Sequence, residues 1–134
     1  MGAAEIFFDT NILLYLLSAD ATKADKAEAL AADGGVTSVQ VLNEFASVAM
    51  RKLDMRLAEI REILSTIRAV CAVIPVDIET HELGLELVER HHLAVYDALI
   101  VATALQAECT VLYTEDLQHG QKFGGLTIRN PFVG

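Results

Sequence analysis

The chain has 134 residues, of which 53% are hydrophobic and 22% charged, and its formal net charge is −9. This composition excludes a disordered chain and predicts a single domain over residues 1–134. The acidic balance argues against a general nucleic-acid-binding protein, which is usually basic. The most apolar segment, residues 11–19, is bracketed by Asp9 and Asp20 and is shorter than the ~18–20 residues of a membrane span. We therefore expect a soluble cytoplasmic protein that does not associate with membranes.

Short apolar runs alternate with helical periods along the chain, which is typical of an α/β domain with a mainly parallel sheet. In the first half we predict a strand over residues 5–8, helices over about 11–18 and 23–32, a strand over 36–37, and helices over about 39–52 and 57–70. Gly34 and Gly35 are expected to end the second of these helices. Ser38 is expected to cap the third.

The second half continues the same alternation. It predicts a strand over residues 73–76, helices over about 77–90 and 96–107, strands over 110–113 and 126–129, and a loop over 119–125. Asp77 is the expected cap of the first of these helices. The helix over 96–107 is apolar nearly all round, so it should lie at the centre of the domain. The sheet should have four or five strands.

Four acidic residues stand at the edges of apolar segments, where a strand or a buried helix should begin or end. They are Asp9 in IFFDTN, Glu44 in VLNEF, Asp97 in VYDALIVATAL and Asp116 in VLYTED. None of the ten Lys and Arg residues lies within four positions of them. Because a buried carboxylate is costly without a partner, a bound cation is the expected partner.

Ligands of a parallel α/β sheet bind beyond the carboxyl ends of its strands, where these acids can converge. Converging carboxylates repel one another, and Mg²⁺ or Mn²⁺ would relieve the repulsion. Metal-assisted hydrolysis of a phosphodiester is the chemistry that follows. Each acid also has an ordinary alternative: a helix cap for Asp9, a solvated position for Glu44, a helix-dipole partner for Asp97 and a turn former for Asp116.

Other polar groups of the chain are candidates for supporting roles or for contact with RNA. Thr10, Asn11 and Thr114 could hold metal-bound waters or orient the carboxylates. Segment 51–68 has a net charge of +2 and is the best candidate for contact with an RNA backbone, through Arg51, Lys52, Arg56 and Arg61. A solvated helix face with Arg–Glu pairs is the competing and slightly favoured interpretation. The cysteines, Cys71 and Cys109, are expected to be reduced core thiols, and the histidines lack the spacing of a zinc site.

Five segments together resemble the successive signatures of PIN-domain ribonucleases of the VapC toxin type. They are FFDTNILLYLL, SVQVLNEF, YDALIVATAL, LYTEDLQHGQ and LTIRNPF, and the resemblance extends over residues 5–132. It implies a three-layer α/β/α fold and RNA cleavage that depends on Mg²⁺ or Mn²⁺. The implied catalytic metal ligands are Asp9, Glu44, Asp97 and Asp116, with Thr10, Asn11 and Thr114 in support. The resemblance also implies a cognate antitoxin protein, and a homodimer or a toxin–antitoxin hetero-oligomer.

Two alternatives from other functional classes remain open at this point. A catalytically silent PIN-like module would keep the fold and bind a partner without turnover. A receiver-like signalling domain would also have an acidic pocket, but it fits less well. Asp9 is followed by Thr10 and Asn11 instead of a second acid, and Lys122 is the sole late lysine.

Overall fold

The computed structural model describes residues 5–133, which form a six-stranded sheet and six α-helices. The elements in chain order are β1 (Ile6–Phe8), α1 (Thr10–Leu14), a 3₁₀ turn (Tyr15–Leu17), α2 (Ala21–Ala32), β2 (Gly35–Ser38), α3 (Val39–Arg51), α4 (Leu57–Val70), β3 (Cys71–Ile74), α5 (Ile78–His91), α6 (Val95–Gln106), β4 (Val111–Tyr113), β5 (Lys122–Phe123) and β6 (Leu126–Arg129). This is the α/β architecture that the alternating pattern predicts.

The strand order is β3-β2-β1-β4-β6-β5, and every neighbouring pair is parallel except β5 and β6. The mainly parallel sheet is confirmed, but the expected count of four or five strands was wrong. The additional strand, β5, lies inside the segment predicted as a loop over residues 119–125. It has two residues, too few to show a strand periodicity, and it pairs with β6 across a turn at Gly124 and Gly125.

Two other boundaries differ from the sequence prediction. β3 begins at Cys71 and ends at Ile74, two residues earlier than expected, because Pro75 cannot donate to a strand ladder and ends the strand. The first predicted helix divides into α1 and the 3₁₀ turn, and the chain is extended at Ser18. The caps of α3 and α5 are as predicted, since Ser38 accepts from the Val41 amide and Asp77 from the Thr80 amide.

The apolar residues form a core on both sides of β1. Phe7 and Phe8 are fully buried. Six of the seven residues between positions 98 and 104 of α6 are also buried, namely Ala98, Ile100, Val101, Ala102, Thr103 and Ala104. The predicted central position of this helix is thus confirmed.

Cys71 and Cys109 are also buried, and burial raises the pKa of both thiols, that of Cys109 to about 11. Within residues 5–133, no helix is both long and apolar enough to cross a membrane.

The strand register brings the carboxyl ends of three strands together. Phe8 on β1 pairs with Tyr113 on β4, so the residues that follow them, Asp9 and Thr114, leave the sheet side by side. On the other side of β1, Phe7 pairs with Val36, and β2 then passes directly into α3. Ends of β1 and β4 and the start of α3 therefore surround one edge of the sheet.

A close approach at Gly35 tests this arrangement of β1 and β2. A Cβ atom at Gly35 would lie 2.5 Å from Phe8 Cε2 and 2.8 Å from the Ile6 carbonyl oxygen. We expect Gly35→Ala to lower the free energy of unfolding by roughly 2 kcal/mol or more, as overpacking does. Urea denaturation would measure this loss of stability. Gly125→Ala is the control, because nothing lies within 4 Å of its added Cβ; equal stability of the two variants would contradict the close packing.

Candidate active site

Asp9 is the most buried of the four acids, with 6% of its surface exposed. Its backbone N–H donates to the Tyr113 carbonyl at 3.0 Å and continues the pairing of β1 with β4. Its side chain is held at both oxygens. Oδ1 accepts from the Thr10 amide at 2.7 Å, and Oδ2 accepts from the Thr114 hydroxyl at 2.7 Å. The carboxylate is therefore fixed at the point where β1 becomes α1.

Thr114 connects this carboxylate to the turn that follows β4. Its buried hydroxyl donates to Asp9 and accepts from the Asp116 amide at 3.1 Å and from Asn11 Nδ2 at 3.4 Å. Its own amide donates to the Arg129 carbonyl on β6. The hydroxyl thus joins the turn after β4 to the segment after β1, and it fixes the turn on which the exposed Asp116 is placed.

The other two acids come from helices. Glu44 lies on α3, where it is half-buried, and its Oε1 accepts from Gln40 Nε2 at 3.1 Å. Asp97 lies in the first turn of α6, where the helix dipole favours a negative charge, and it is also half-buried. Charges of Glu44 and Asp116 both act on Asp9 and on Asp97. Glu44 and Asp116 therefore lie close enough to Asp9 and to Asp97 for their charges to interact.

The surroundings of these acids disfavour their ionised forms. Burial, followed by the charges of Asp116 and Glu44, raises the pKa of Asp9 to about 6, although the bonds from Thr114 and Thr10 oppose the shift. Burial and the same two charges raise the pKa of Asp97. Among residues 5–133, the salt bridge found joins Arg56 to Glu59 and does not involve these acids. In the described part of the chain, no salt bridge balances the negative charge of the site.

The donor atoms of this site suit a hard divalent cation, because Mg²⁺ and Mn²⁺ prefer carboxylate oxygens. A ready cage is not formed: within the described part of the chain, no three His, Cys, Asp or Glu side chains are positioned to hold an ion. A cavity of about 530 Å³ opens beside Glu44. Since Mg²⁺ usually keeps several of its waters, an open site with few protein ligands fits such an ion.

The three predicted supporting residues differ in what they contribute. Asn11 and Thr114 hydrogen-bond to each other, and Asn11 Oδ1 also accepts from the Glu115 amide at 3.2 Å. Thr10 supports Asp9 through its backbone amide. Its hydroxyl oxygen is buried and has no hydrogen-bond partner among the described residues.

The four basic candidates are exposed but lie in different settings. Arg56 pairs with Glu59 at 3.5 Å, which is the Arg–Glu pair expected of a solvated helix face, and Arg51 Nε donates to Ser47. Lys52 lines a cavity of about 430 Å³ that Asn11 also lines. Arg61 lines another, of about 400 Å³, whose wall residues Val39 and Asn43 also border the cavity at Glu44. Lys52 thus shares a cavity with Asn11, and the cavity of Arg61 adjoins the one beside Glu44.

Besides Gln40, which bonds to Glu44, sequence reasoning missed a second side chain next to the site, Tyr15. Its hydroxyl donates to the Glu115 carboxylate and lies 3.0 Å from each oxygen. The pattern of the segment ILLYLL predicts only an apolar helix. A tyrosine among aliphatic residues was the available signal, since its hydroxyl needs a polar partner when the ring packs against the protein.

The raised pKa of Asp9 predicts how stability depends on pH without metal. Its pKa of about 6 when folded exceeds the unfolded value of 3.8, so the free energy of unfolding should fall as pH rises through this interval. Asp9→Asn removes the ionisation. In EDTA, the free energy of unfolding of Asp9→Asn should exceed that of the wild type by up to about 3 kcal/mol at pH 7.5. At pH 4 the two proteins should be about equally stable.

Urea denaturation at the two pH values would measure this difference. Asp25→Asn is the matched control, because it removes the same charge from an exposed position on α2. A stabilisation by Asp9→Asn that is the same at both pH values would contradict the shifted pKa.

Comparison with solved structures finds the same fold in other proteins. VapC20 of Mycobacterium tuberculosis, described as a Sarcin-Ricin loop cleaving toxin, superposes with a TM-score of 0.68 at 22% identity over 83% of this chain and 89% of that one. A toxin-antitoxin complex from Klebsiella pneumoniae gives 0.70 at 21% identity over 91% and 95% of the two chains. VapBC2 of Rickettsia felis, bound to a promoter DNA fragment, gives 0.66 at 19% over 92% and 96%.

Sequence comparison gives a family for the chain. No curated protein matches it. The family pattern of the PIN domain, however, matches residues 6–122, which span β1 to the first residue of β5 and include all four acids. Membership of this family leaves the receiver-like alternative without support. The chain belongs to the PIN-domain family.

Proposed function

We propose that this chain is a metal-dependent endoribonuclease that acts in the cytoplasm as the toxin of a type II toxin–antitoxin pair. The observation that carries the proposal is the buried carboxylate of Asp9. It is held in place at both oxygens, and the charges of Glu44 and Asp116 act on it with no cation to balance them. Family membership and the likeness to toxins of known structure support the same assignment.

The proposed roles follow from where each side chain is held. Asp9, Glu44, Asp97 and Asp116 would bind one or two Mg²⁺ or Mn²⁺ ions. Such an ion, when bound, lowers the pKa of a water molecule and neutralises charge on the phosphate. Thr114 keeps both Asp9 and the turn of Asp116 in position, and Gln40 orients Glu44. Because Asp9 has a pKa of about 6, it would give up any proton it carries when an ion binds.

An RNA strand would reach the acids along the flanking cavities. Lys52 and Arg61 border these cavities and would contact phosphates on either side of the bond that is cut. With a net charge of −9, the chain would bind RNA weakly without divalent ions, and the binding would fall steeply as salt increases.

A basic segment of an antitoxin protein is the partner that the charge of the site favours. The acidic edge of the sheet would attract such a segment and be covered by it. Two of the similar structures are described as a toxin-antitoxin complex and as VapBC2 on promoter DNA, which agrees with such a partner. We propose that the chain forms either a homodimer or a toxin–antitoxin hetero-oligomer.

Cleavage of a transfer RNA pool and of ribosomal RNA by the antitoxin-free chain tests the proposal. We expect cuts in Mg²⁺ or Mn²⁺ and none in EDTA. Asp97→Asn should lower turnover by at least roughly 100-fold, because it removes a ligand while keeping the side-chain shape. Asp25→Asn should cleave as the wild type does. Equal cleavage by Asp97→Asn would overturn the role of Asp97.

A second candidate is a silent module of the same fold that binds a partner without turnover, for which the acids would not need to form the complete metal cage that residues 5–133 lack. The same assay separates the two. A folded chain that binds Mn²⁺ but cuts no RNA would support the silent module. In that case Asp97→Asn would be expected to retain the partner.

The flanking cations give a prediction of their own. Lys52→Ala and Arg61→Ala should each raise KM for RNA severalfold and leave kcat within about twofold. Each should also lower the slope of log KM against log salt concentration by roughly the amount that one phosphate contact contributes. Arg56→Ala is the control, since its side chain is 83% exposed and paired with Glu59. An equal effect of Arg56→Ala would show that net charge matters and the position does not.

A further inference from the structure

We propose that Tyr15 is a positioning residue for Asp116, and that it acts through the carboxylate of Glu115. This inference rests on the proposed function, in which Asp116 is a metal ligand. It assigns a role to a side chain outside the acidic cluster and explains how the turn over residues 114–116 is held on its outer side.

Four hydrogen bonds attach this turn to the segment that follows β1, and one of them is the bond that Asn11 Nδ2 donates to the Thr114 hydroxyl. The Tyr15 hydroxyl lies 3.0 Å from each oxygen of Glu115, and Asn11 Oδ1 accepts from the Glu115 amide at 3.2 Å. On the inner side, the Thr114 hydroxyl bonds to Asp9. Glu115 is thus held at its backbone by Asn11 and at the end of its side chain by Tyr15.

Tyr15 is itself fixed by its neighbours. Its ring centroid lies 4.3 Å from that of Phe132, at an interplanar angle of 41°. The ammonium group of Lys23 on α2 lies 5.3 Å from the Tyr15 ring centroid, and that of Lys26 lies 5.6 Å from the Phe132 centroid. These contacts restrict the rotamers of Tyr15, so its hydroxyl stays directed at Glu115. Burial and the bond and charge of Glu115 raise the pKa of Tyr15, which therefore remains a donor at neutral pH.

The two adjacent acids of the turn have separate environments. Asp116 contributes to the raised pKa of both Asp9 and Asp97, and Glu115 is not among the causes of either shift. Like charges of the cluster repel Asp116, which is exposed and would move outward if the turn were free. The Tyr15–Glu115 bond opposes this motion, because it holds the neighbouring residue on the far side of the turn.

Tyr15→Phe tests the inference, since it removes the hydroxyl and keeps the ring between Phe132 and Lys23. We expect the affinity for Mn²⁺, measured on RNA-free protein by the spin-resonance signal of free Mn²⁺, to fall roughly 10-fold. The kcat for RNA should fall by a similar factor, and KM should stay within twofold. Tyr113→Phe is the matched control. Tyr113 lies one residue before the turn, and among the described residues its hydroxyl makes no hydrogen bond to the turn.

Variants of the acceptor separate positioning from a general loss of stability. Glu115→Gln keeps an oxygen that the Tyr15 hydroxyl can donate to, so it should bind Mn²⁺ as the wild type does. Glu115→Ala should match Tyr15→Phe, and the double variant should be no worse than either single one. Melting temperatures of all variants should agree within a few degrees.

Three results would overturn the inference: wild-type affinity for Mn²⁺ in Tyr15→Phe, a defect in Glu115→Gln as large as in Glu115→Ala, or additive losses in the double variant. A wild-type chain that binds Mn²⁺ but cuts no RNA would overturn the proposed function alone. The Mn²⁺ series would then still decide the role of Tyr15. A wild-type chain that binds no Mn²⁺ would overturn both.

Discussion

Burial of the Asp9 carboxylate is the constraint on which the rest of the site depends. A charge at this depth is unfavourable, and the residues that the structure describes supply hydrogen bonds from Thr10 and Thr114 but no salt bridge. The protein thereby keeps a carboxylate in a fixed position at some expense of stability. Residues that weaken a fold in this way are expected where a ligand restores the balance, so the unfavourable environment is itself an indication of function.

Position in the sheet explains how four acids far apart in sequence reach one place. Asp9 and Thr114 become neighbours because Phe8 and Tyr113 are paired in the sheet. Asp116 is held near them because the Thr114 hydroxyl accepts a hydrogen bond from its amide and so fixes the turn. Glu44 and Asp97 arrive from helices whose N-terminal ends lie near the same edge. A parallel sheet with short connections at its carboxyl edge thus supplies four separate supports for one cluster.

Local chemistry explains which features the sequence predicts. The caps at Ser38 and Asp77 and the apolar helix α6 depend on a few adjacent residues, so a single sequence reveals them. The four acids were found because each is out of place locally. Strand β5 was missed because its only support is its pairing with β6, and the bond from Tyr15 to Glu115 was missed because it spans 100 positions. Tertiary contacts of this kind leave little trace in neighbouring residues.

The hairpin of β5 and β6 has a practical consequence for work on this protein. Because β6 runs parallel to β4, its turn at Gly124 and Gly125 lies at the amino edge of the sheet, whereas the acids lie at the carboxyl edge. Added Cβ atoms at these two glycines would meet nothing within 4 Å. A tether attached at this turn would hold the molecule with its acidic edge facing the solution, open to RNA and to protein partners alike.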